Sequence, residues 1–484
     1  MERTDVLIDN GTILTMDPQR RVLENHSVAV RDGKIVEIGP ADEMRRRHAT
    51  AAKTISARRK AVMPGLIDCH AHAGTALLKG IGERLPSAPW RDLMDFIAYR
   101  TPPEWWYVDS LLASLEKLKG GTTTSLYMLG CAPRGDSPEH AYKNAEAVDE
   151  IGIRSICGIG PSRPPWPQPY TYWENGRRVE RMVSLEETFE KTEEAIATWN
   201  GRNDSRVKLW TAAARMLNEN PNDPVYDPAN AKYIAPQANG IRKIMEKHGV
   251  GFHVHAYGTA AKFLAENDFG LLGPQTVFAH GWPFDIESAE IIARTDTRVA
   301  HCPRARRVYL NKGRLPLPEL IKMGATVGLG SDACGMDRPF DSILEDAFMA
   351  PRWQRLEFND PNLLPPGKTL EMATIDGARV LGMDDRIGSI ETGKEADIIL
   401  INLNTPHAMP LGMVPSRVHA MARGADVETV MVQGQVLMEN RKVLTANEQE
   451  ILERAQNEAL HTVDVFGLRP LMEPSLKHWG HSSE

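Results

Sequence analysis

Eight short apolar runs occupy the middle of the 484-residue chain, at 65–68, 122–128, 154–158, 207–212, 251–255, 276–279, 298–301 and 325–329. Helical patterns fall between most of them. Residues 110–119 place apolar side chains at 111, 112, 115 and 118, and 185–199, 229–247, 286–294 and 318–323 read likewise. Short buried strands alternating with helices build a parallel sheet, and eight of them predict an α/β fold closed as a (β/α)8 TIM-like barrel. The rival is an open doubly wound sheet, which would carry a Gly-x-Gly-x-x-Gly turn after its first strand; none stands there.

The chain ends read differently. Residues 5–40 are short strands separated by Asn10-Gly11 and Asp32-Gly33, both hairpin turn signals. Strand-like material returns at 397–403 and at 427–433 and 435–439 around Gly434. The simplest organisation is a small β-sandwich built from both termini, 1–60 and 386–445, enclosing a barrel over 61–385. A C-terminal helix at 446–461 and a polar tail complete 446–484. Two connections are long, 73–103 and 161–183. The second carries five prolines with Trp166, Tyr170, Tyr172 and Trp173. Ordered loops of that length serve as lids or binding loops, or as stiff surface loops packing their own aromatics.

Composition removes several function classes. Lys plus Arg number 57 against 64 for Asp plus Glu, the reverse of the basic excess of a nucleic-acid binder. No run of about 20 apolar residues is present to span a membrane. The five cysteines, 69, 131, 157, 302 and 334, are scattered without a Cys-x-x-Cys, which argues against a disulfide frame or a thiolate zinc site and fits a reducing compartment. Acidic residues at positions 2 and 5 stand where a secretory signal needs apolar ones, so a cytoplasmic location is expected.

Histidine carries the chemistry. Two His-x-His pairs occur, His70/His72 and His253/His255. In a strand, residues two apart point to the same side, so such a pair offers two imidazoles to one point, as a divalent metal requires. Position sharpens this. His70 and His72 end the first predicted strand, His255 the fifth, His280 the sixth, and Asp332 follows the eighth. The C-terminal ends of barrel strands form one rim, and barrel enzymes keep their sites there. Reading these residues as ordinary core histidines leaves five polar groups on one rim unexplained.

The ordered set Pro64-Gly65-Leu66-Ile67-Asp68-Cys69-His70-Ala71-His72, the strand-five and strand-six histidines, and Gly330-Ser331-Asp332 resembles the amidohydrolase superfamily. So do Asp9-Asn10-Gly11-Thr12-Ile13 and the stretch 388–398. The resemblance covers residues 5–440 and is nearest the branch of triazine hydrolases and S-adenosylhomocysteine-type deaminases. It implies a distorted barrel with a small β-sandwich and one catalytic divalent ion. It assigns His70, His72 and His255 as imidazole ligands and Asp332 as the carboxylate ligand. Asp332 also carries the water proton to the leaving group, and His280 holds the water or polarises the bond under attack. His253 is expected to support the interior. Zinc is the first expectation, and the same donors suit iron, manganese and cobalt. Two-metal relatives bridge their ions with a carboxylated lysine ending strand four. The only lysine of that strand here, Lys208, is near its start, which favours one metal.

Departures from the pattern bear on substrate. Deaminases of the branch place a glutamate three residues after the strand-five histidine; this chain has Gly258. After strand seven, where they often carry Ser-Asn, it has Pro303-Arg304-Ala305-Arg306-Arg307. The expected reaction is therefore metal-dependent hydrolysis of a C–N bond in a small aromatic or N-substituted amide, urea or carbamate, as in phenylurea and thiocarbamate hydrolases. The alternative is an aminohydrolase or chlorohydrolase of a heterocyclic ring. Substrate contacts are expected from Tyr257, Arg215, Trp166 and Arg304, with Arg163 also at the rim. Cys69, Cys302 and Cys334 are read as packing or pocket lining. The partner is a small-molecule substrate, with neither nucleic acid nor membrane, and the chain is expected to form a homo-oligomer.

Overall fold

The barrel strands are β1 (Leu66–Ala73), β2 (Thr122–Leu129), β3 (Arg154–Ile159), β4 (Val207–Ala213), β5 (Phe252–Ala256), β6 (Thr276–His280), β7 (Arg298–His301) and β8 (Val327–Leu329). They form one eight-stranded sheet in chain order, every neighbouring pair parallel. The computed structural model describes residues 4–82, 85, 87–175, 177–202, 204–216, 228–307, 313–333, 335 and 339–472.

The ring closes between its first and last strands just past β8. Ala71 and Ala333 form a parallel bridge. The Asp332 N–H donates to His70 O (2.9 Å), and the His72 N–H donates to Ala333 O (3.0 Å). Gly330 permits this approach: a Cβ there would sit 2.9 Å from the His70 Cβ and 3.0 Å from the Cys302 Sγ.

Every predicted barrel strand is present within a few residues of its expected bounds, because each run is apolar and bounded by turn residues. The pattern at 229–247 divides into a 3-10 segment, Pro228–Tyr233, and a helix, Ile234–His248. The two long connections have structure of their own. The first contains the helix Ser87–Ala98. The second contains an antiparallel hairpin, Gln168–Glu174 with Arg177–Val183.

Both chain ends meet in a second sheet of nine strands. Lys60–Pro64 pairs antiparallel with Ile398–Asn402 and parallel with Val6–Leu14, which joins the N-terminal strands to the C-terminal ones. Ile8, Ile13, Val28, Val30, Ile398, Leu400 and Met431 form its core. The C-terminal helix Glu448–Val465 is capped by Asn447, whose side chain accepts from the Glu450 N–H. It lies on the barrel helix Pro103–Lys119, where Trp105 Nε1 donates to Thr462 Oγ1 (2.8 Å). Among the described residues no helix is long and apolar enough to cross a membrane.

Arg154, at the start of β3, ties the barrel floor to this sheet. Its Nη2 reaches Glu395 (2.5 Å) and Asp397 (3.5 Å), and all three side chains are largely buried. Removing the cation leaves the buried Asp397 with the Gln433 N–H but no charge partner, while Glu395 keeps Arg386. Arg154→Ala should therefore cost about 3–5 kcal/mol, read as a lowered denaturant midpoint, and an unchanged midpoint would show that the pair is not a tie.

Candidate functional site

Alternation along β1 sorts its residues. Cys69 faces outward, its Sγ against Gly377 O (3.7 Å), while His70 and His72 point into the rim and are buried. Asp68 lies one layer deeper on the inward side. Its Oδ1 accepts from the Ser331 N–H (2.9 Å) and the His70 N–H (3.2 Å). Its Oδ2 accepts from Ser331 Oγ (2.6 Å) and from the Lys117 ammonium. Asp68 thus clamps β1 to the turn that bears Asp332.

Backbone carbonyls fix the protons of the imidazoles. A carbonyl can only accept, so His72 Nδ1 donates to Gly130 O (2.8 Å) and His255 Nδ1 to Ala214 O (2.8 Å). His253 Nδ1 donates to Val277 O (3.1 Å), which makes its Nε2 the acceptor for His70 Nδ1 at 2.7 Å. A neutral imidazole has one N–H, so the Nε2 atoms of His70, His72 and His255 all present lone pairs. Burial holds His255 and His253 well below the usual histidine range and lowers His70 also.

These lone pairs converge. Nitrogens of His70, His72 and His255 lie within 4.8 Å of one another. The His72 and His255 Nε2 atoms are 3.4 Å apart, and Asp332 Oδ1 is 3.1 Å from His72 Nε2 and 3.2 Å from His70 Nε2. The His70 Nε2 is buried without a hydrogen-bond partner. Three lone pairs and a carboxylate oxygen facing one point are mutually repulsive unless a cation joins them. The donor set fits a zinc-like divalent ion with three nitrogens and one oxygen.

An aromatic wall stands beside this point. His280 stacks on His255 (5.2 Å between ring centres), on Trp282 (4.7 Å) and on Tyr257 (5.2 Å). The Arg215 guanidinium lies over the Tyr257 ring, 4.7 Å from its centre. His280 and Asp332 both hold left-handed backbone, with φ of 75° and 47°. Non-glycine residues rarely adopt it, and it persists where surrounding contacts over-determine it.

The cavity over these groups has a volume of about 40 Å³. It is lined by His72, His255, His280, Asp332, Tyr257 and Arg215, together with Trp90, Arg91, Cys131 and Arg163. A larger cleft of about 440 Å³ lies on the barrel flank, but its charges pair among themselves, Lys79 with Glu116 and Lys119 with Glu448, and it gathers no catalytic set.

The structure brings together His70, His72, His255, His280, Asp332, Tyr257 and Arg215. It places Trp166 and Arg304 elsewhere. Trp166 is buried with its ring edge-on to Tyr233 (5.1 Å), and its carbonyl accepts from the Tyr233 hydroxyl (2.7 Å). Arg304 is held by Asp341 (2.8 Å), Glu345 (2.9 Å) and Asp346 (2.8 Å), and this acidic cluster takes up its guanidinium. Lys208 donates to Arg202 O (3.3 Å) from the exposed end of β4, far along the strand from the rim. Burial pushes the Cys69 and Cys302 thiols well up. Cys334 and the side chains of Arg306 and Arg307 lie outside the described residues. Trp90 and Arg91 come from the helix Ser87–Ala98, a segment with no barrel periodicity to mark it. Asp68 stood inside the quoted motif, but its bonding partners are remote in sequence.

Comparison with known proteins follows the same lines. Residues 61–437 match the Amidohydrolase family, and residues 28–51 match a bacterial imidazolonepropionase-like composite domain. A 5-methylthioadenosine/S-adenosylhomocysteine deaminase of Desulforudis audaxviator is 31% identical over 90% of this chain and 95% of its own length. A 5'-deoxyadenosine deaminase of Methanosarcina acetivorans is 29% identical over 94% and 98%. Among solved structures, an adenosine deaminase from Xanthomonas campestris with bound zinc superposes with a TM-score of 0.81 at 24% identity, covering 96% of this chain and 99% of that one. A zinc complex of atrazine chlorohydrolase from Arthrobacter aurescens gives 0.77 at 20% identity, covering 94% and 100%.

Asp68→Asn keeps the shape of the clamp but leaves the Lys117 ammonium without its counter-ion in a buried site. The expected loss is about 3–5 kcal/mol of stability, measured by chemical unfolding; a loss no larger than that of a surface substitution would remove Asp68 from its clamping role.

Proposed function

The chain belongs to the amidohydrolase family and is a hydrolase acting on carbon–nitrogen bonds, and from that premise we propose that it cleaves a small amide, urea or carbamate with an aromatic or N-alkyl substituent. The observation that carries this reading is the acid content of the pocket. Among the described lining residues Asp332 supplies the only carboxylate. At position 258, where deaminases of this branch place a glutamate, a glycine with φ of 54° faces open space. Deamination of a ring needs protons at a ring nitrogen and at the departing amine. Cleavage of an acyl C–N bond needs one proton delivered to one nitrogen, which a single carboxylate can manage.

In this reading His70, His72, His255 and Asp332 hold one divalent ion, zinc as named with two of the structural relatives or else iron, manganese or cobalt. Such an ion supplies Lewis acidity, which makes water nucleophilic near neutral pH and polarises a carbonyl. Asp332 takes the proton of the attacking water and passes it to the leaving nitrogen; its backbone bond to His70 O keeps the carboxylate at the rim. His280 stands 3.9 Å from Asp332 Oδ1 and is held flat between His255 and Trp282, so its imidazole meets the substrate carbonyl in one orientation. Trp90 and Tyr257, which line the cavity, exclude water around the aryl or alkyl group.

The names of the full-length relatives favour a second reading, deamination or dechlorination of a heterocycle. A panel of anilides, phenylureas and carbamates assayed for amine release, beside aminopurine nucleosides and chlorotriazines assayed for ammonia and chloride, decides between them. Amine release is expected; ammonia or chloride alone would overturn the amide reading. The same reading includes a homo-oligomer in the cytoplasm, which light scattering and cell fractionation test.

Two substitutions test the roles. Asp332→Asn should lower turnover by about 10²–10⁴-fold with an unchanged circular dichroism spectrum, and substantial residual turnover would refute its proton-carrying role. His70→Ala should reduce the metal-to-protein ratio measured by emission spectrometry, whereas an unaltered ratio would take His70 off the ligand list.

A further inference from the structure

The cavity over the histidines and Asp332, at about 40 Å³, has room for only a few water molecules. Sites for small organic ligands run to about 300 Å³ and more. Trp90 and Tyr257 therefore shield only the atoms next to the scissile bond, and the rest of the substrate must lie elsewhere. A second cavity of about 280 Å³ adjoins the first, and Arg163 lines both. The shared wall is made of side chains, since Arg163 is ion-paired with Asp95 of the second cavity and both are partly exposed. The two compartments are close, because the charge of His72 acts on the Asp95 carboxyl.

The walls of the second cavity are built. On one side stand Asp92, Asp95 and Phe96 of the helix Ser87–Ala98, with Tyr99 just past its end; on the other stand Gln168 and Pro169 from the loop after β3. The Gln168 side-chain amide donates to Arg163 O (2.8 Å) and Pro165 O (2.7 Å). The Thr171 N–H donates to Tyr99 O (2.9 Å), and the Tyr99 ring packs on Tyr170 at 4.9 Å. The buried Arg134 donates to Thr101 O (3.1 Å) and to Thr171 O (3.4 Å), which joins the two sides. The formal charges around this cavity balance, Asp92 and Asp95 against Arg100 and Arg163, so nothing there favours an ionic group. Asp95 has an unused acceptor. Its Oδ2 takes the Arg163 bond, while its Oδ1 is buried with no hydrogen-bond partner among the described residues. Leaving a buried acceptor unsatisfied costs free energy that an incoming donor recovers.

We propose that this second cavity is the subsite for the outer substituent of the substrate, an aryl group bearing a neutral hydrogen-bond donor, a hydroxyl or amino group, from which Asp95 accepts. Phe96, Tyr99 and Pro169 supply the apolar surface for the ring. Arg163 swings aside to join the compartments, because the partition is one flexible side chain in a partly exposed ion pair, and such pairs are weak. One helix thus lines both spaces, with Trp90 and Arg91 at the bond to be broken and Asp95 and Phe96 at the substituent. The inference rests on the proposed C–N reaction only for the end of the substrate at the metal.

The test is titration calorimetry of the zinc-loaded full-length protein with ketones that carry a CH₂ where an anilide has its N–H, so that no C–N bond can be cleaved. The 4-hydroxy and 3-hydroxy forms of 1-phenylpropan-2-one are compared with the 4-methyl and 3-methyl forms. At least one hydroxy isomer should bind about tenfold tighter than its methyl counterpart, the effect of a hydrogen bond to a carboxylate. Asp95→Ala should erase the difference. If circular dichroism shows that protein to be unfolded, Asp95→Asn, with its uncharged acceptor, should shrink it. Phe96→Ala should weaken hydroxy and methyl forms alike, by about threefold or more. Equal binding in both isomer pairs, a preference that survives Asp95→Ala or is unchanged in Asp95→Asn, or affinities untouched by Phe96→Ala would each overturn the proposal. Turnover of 4-hydroxyacetanilide and 4-methylacetanilide separates this inference from the reaction it rests on. Asp95-dependent ketone binding without amine release from either anilide keeps the subsite and rejects the amide chemistry. Amine release from both at equal kcat/KM, without a ketone preference, does the opposite.

Discussion

The site depends on one buried carboxylate, that of Asp68. A parallel barrel must join its first strand to its last, and here β8 is only three residues long. Little backbone pairing is available at the seam. Asp68 makes up the deficit with four accepted hydrogen bonds: one to its own strand at His70, two to Ser331 and one to Lys117 on the helix Pro103–Lys119. Two of the proposed ligands stand on β1 and the third residue type, Asp332, on the turn beyond β8. Their mutual distances are therefore the width of the seam that Asp68 sets. Gly330 complements it by removing the side chain that would push His70 away.

The paired histidines of β5 show how strand geometry divides labour. His253 and His255 point to the same side, but two residues along a strand is one layer within the barrel. The upper imidazole reaches the rim. The lower one meets the back of His70 at 2.7 Å and, through its own bond to Val277 O, dictates which nitrogen of His70 carries the proton. A partner that fixes tautomer and orientation is what a metal-binding imidazole requires. The two members of one motif thus do different work, and the difference follows from depth alone.

The features legible in the sequence were those with a local signal. Strand positions followed from apolar runs and turn residues. The histidines and Asp332 followed from where those runs end. What was not legible depended on long-range pairing. The hairpin inside 161–183 was hidden by prolines that read as loop. Arg91 sits on a helix within a long connection, and nothing local marks it as facing the rim. Arg304 illustrates the limit from the other side. It follows a barrel strand, as a substrate contact should, yet Asp341, Glu345 and the fully buried Asp346 arrive from elsewhere in the chain and take up its charge.

Arginine placement thus separates two uses of one residue type. Arg154 and Arg304 are each surrounded by carboxylates, two and three respectively, and act as ties between segments. Those at the pocket are placed more openly, Arg163 against Asp95 and Arg91 at 3.9 Å from Asp92. Gly258 bears on the reaction in another way, since a glutamate at that position would add a carboxylate next in chain to Tyr257. With glycine there, Asp332 is the one carboxylate among the described lining residues, and a single proton carrier suits the proposed acyl C–N cleavage better than ring deamination.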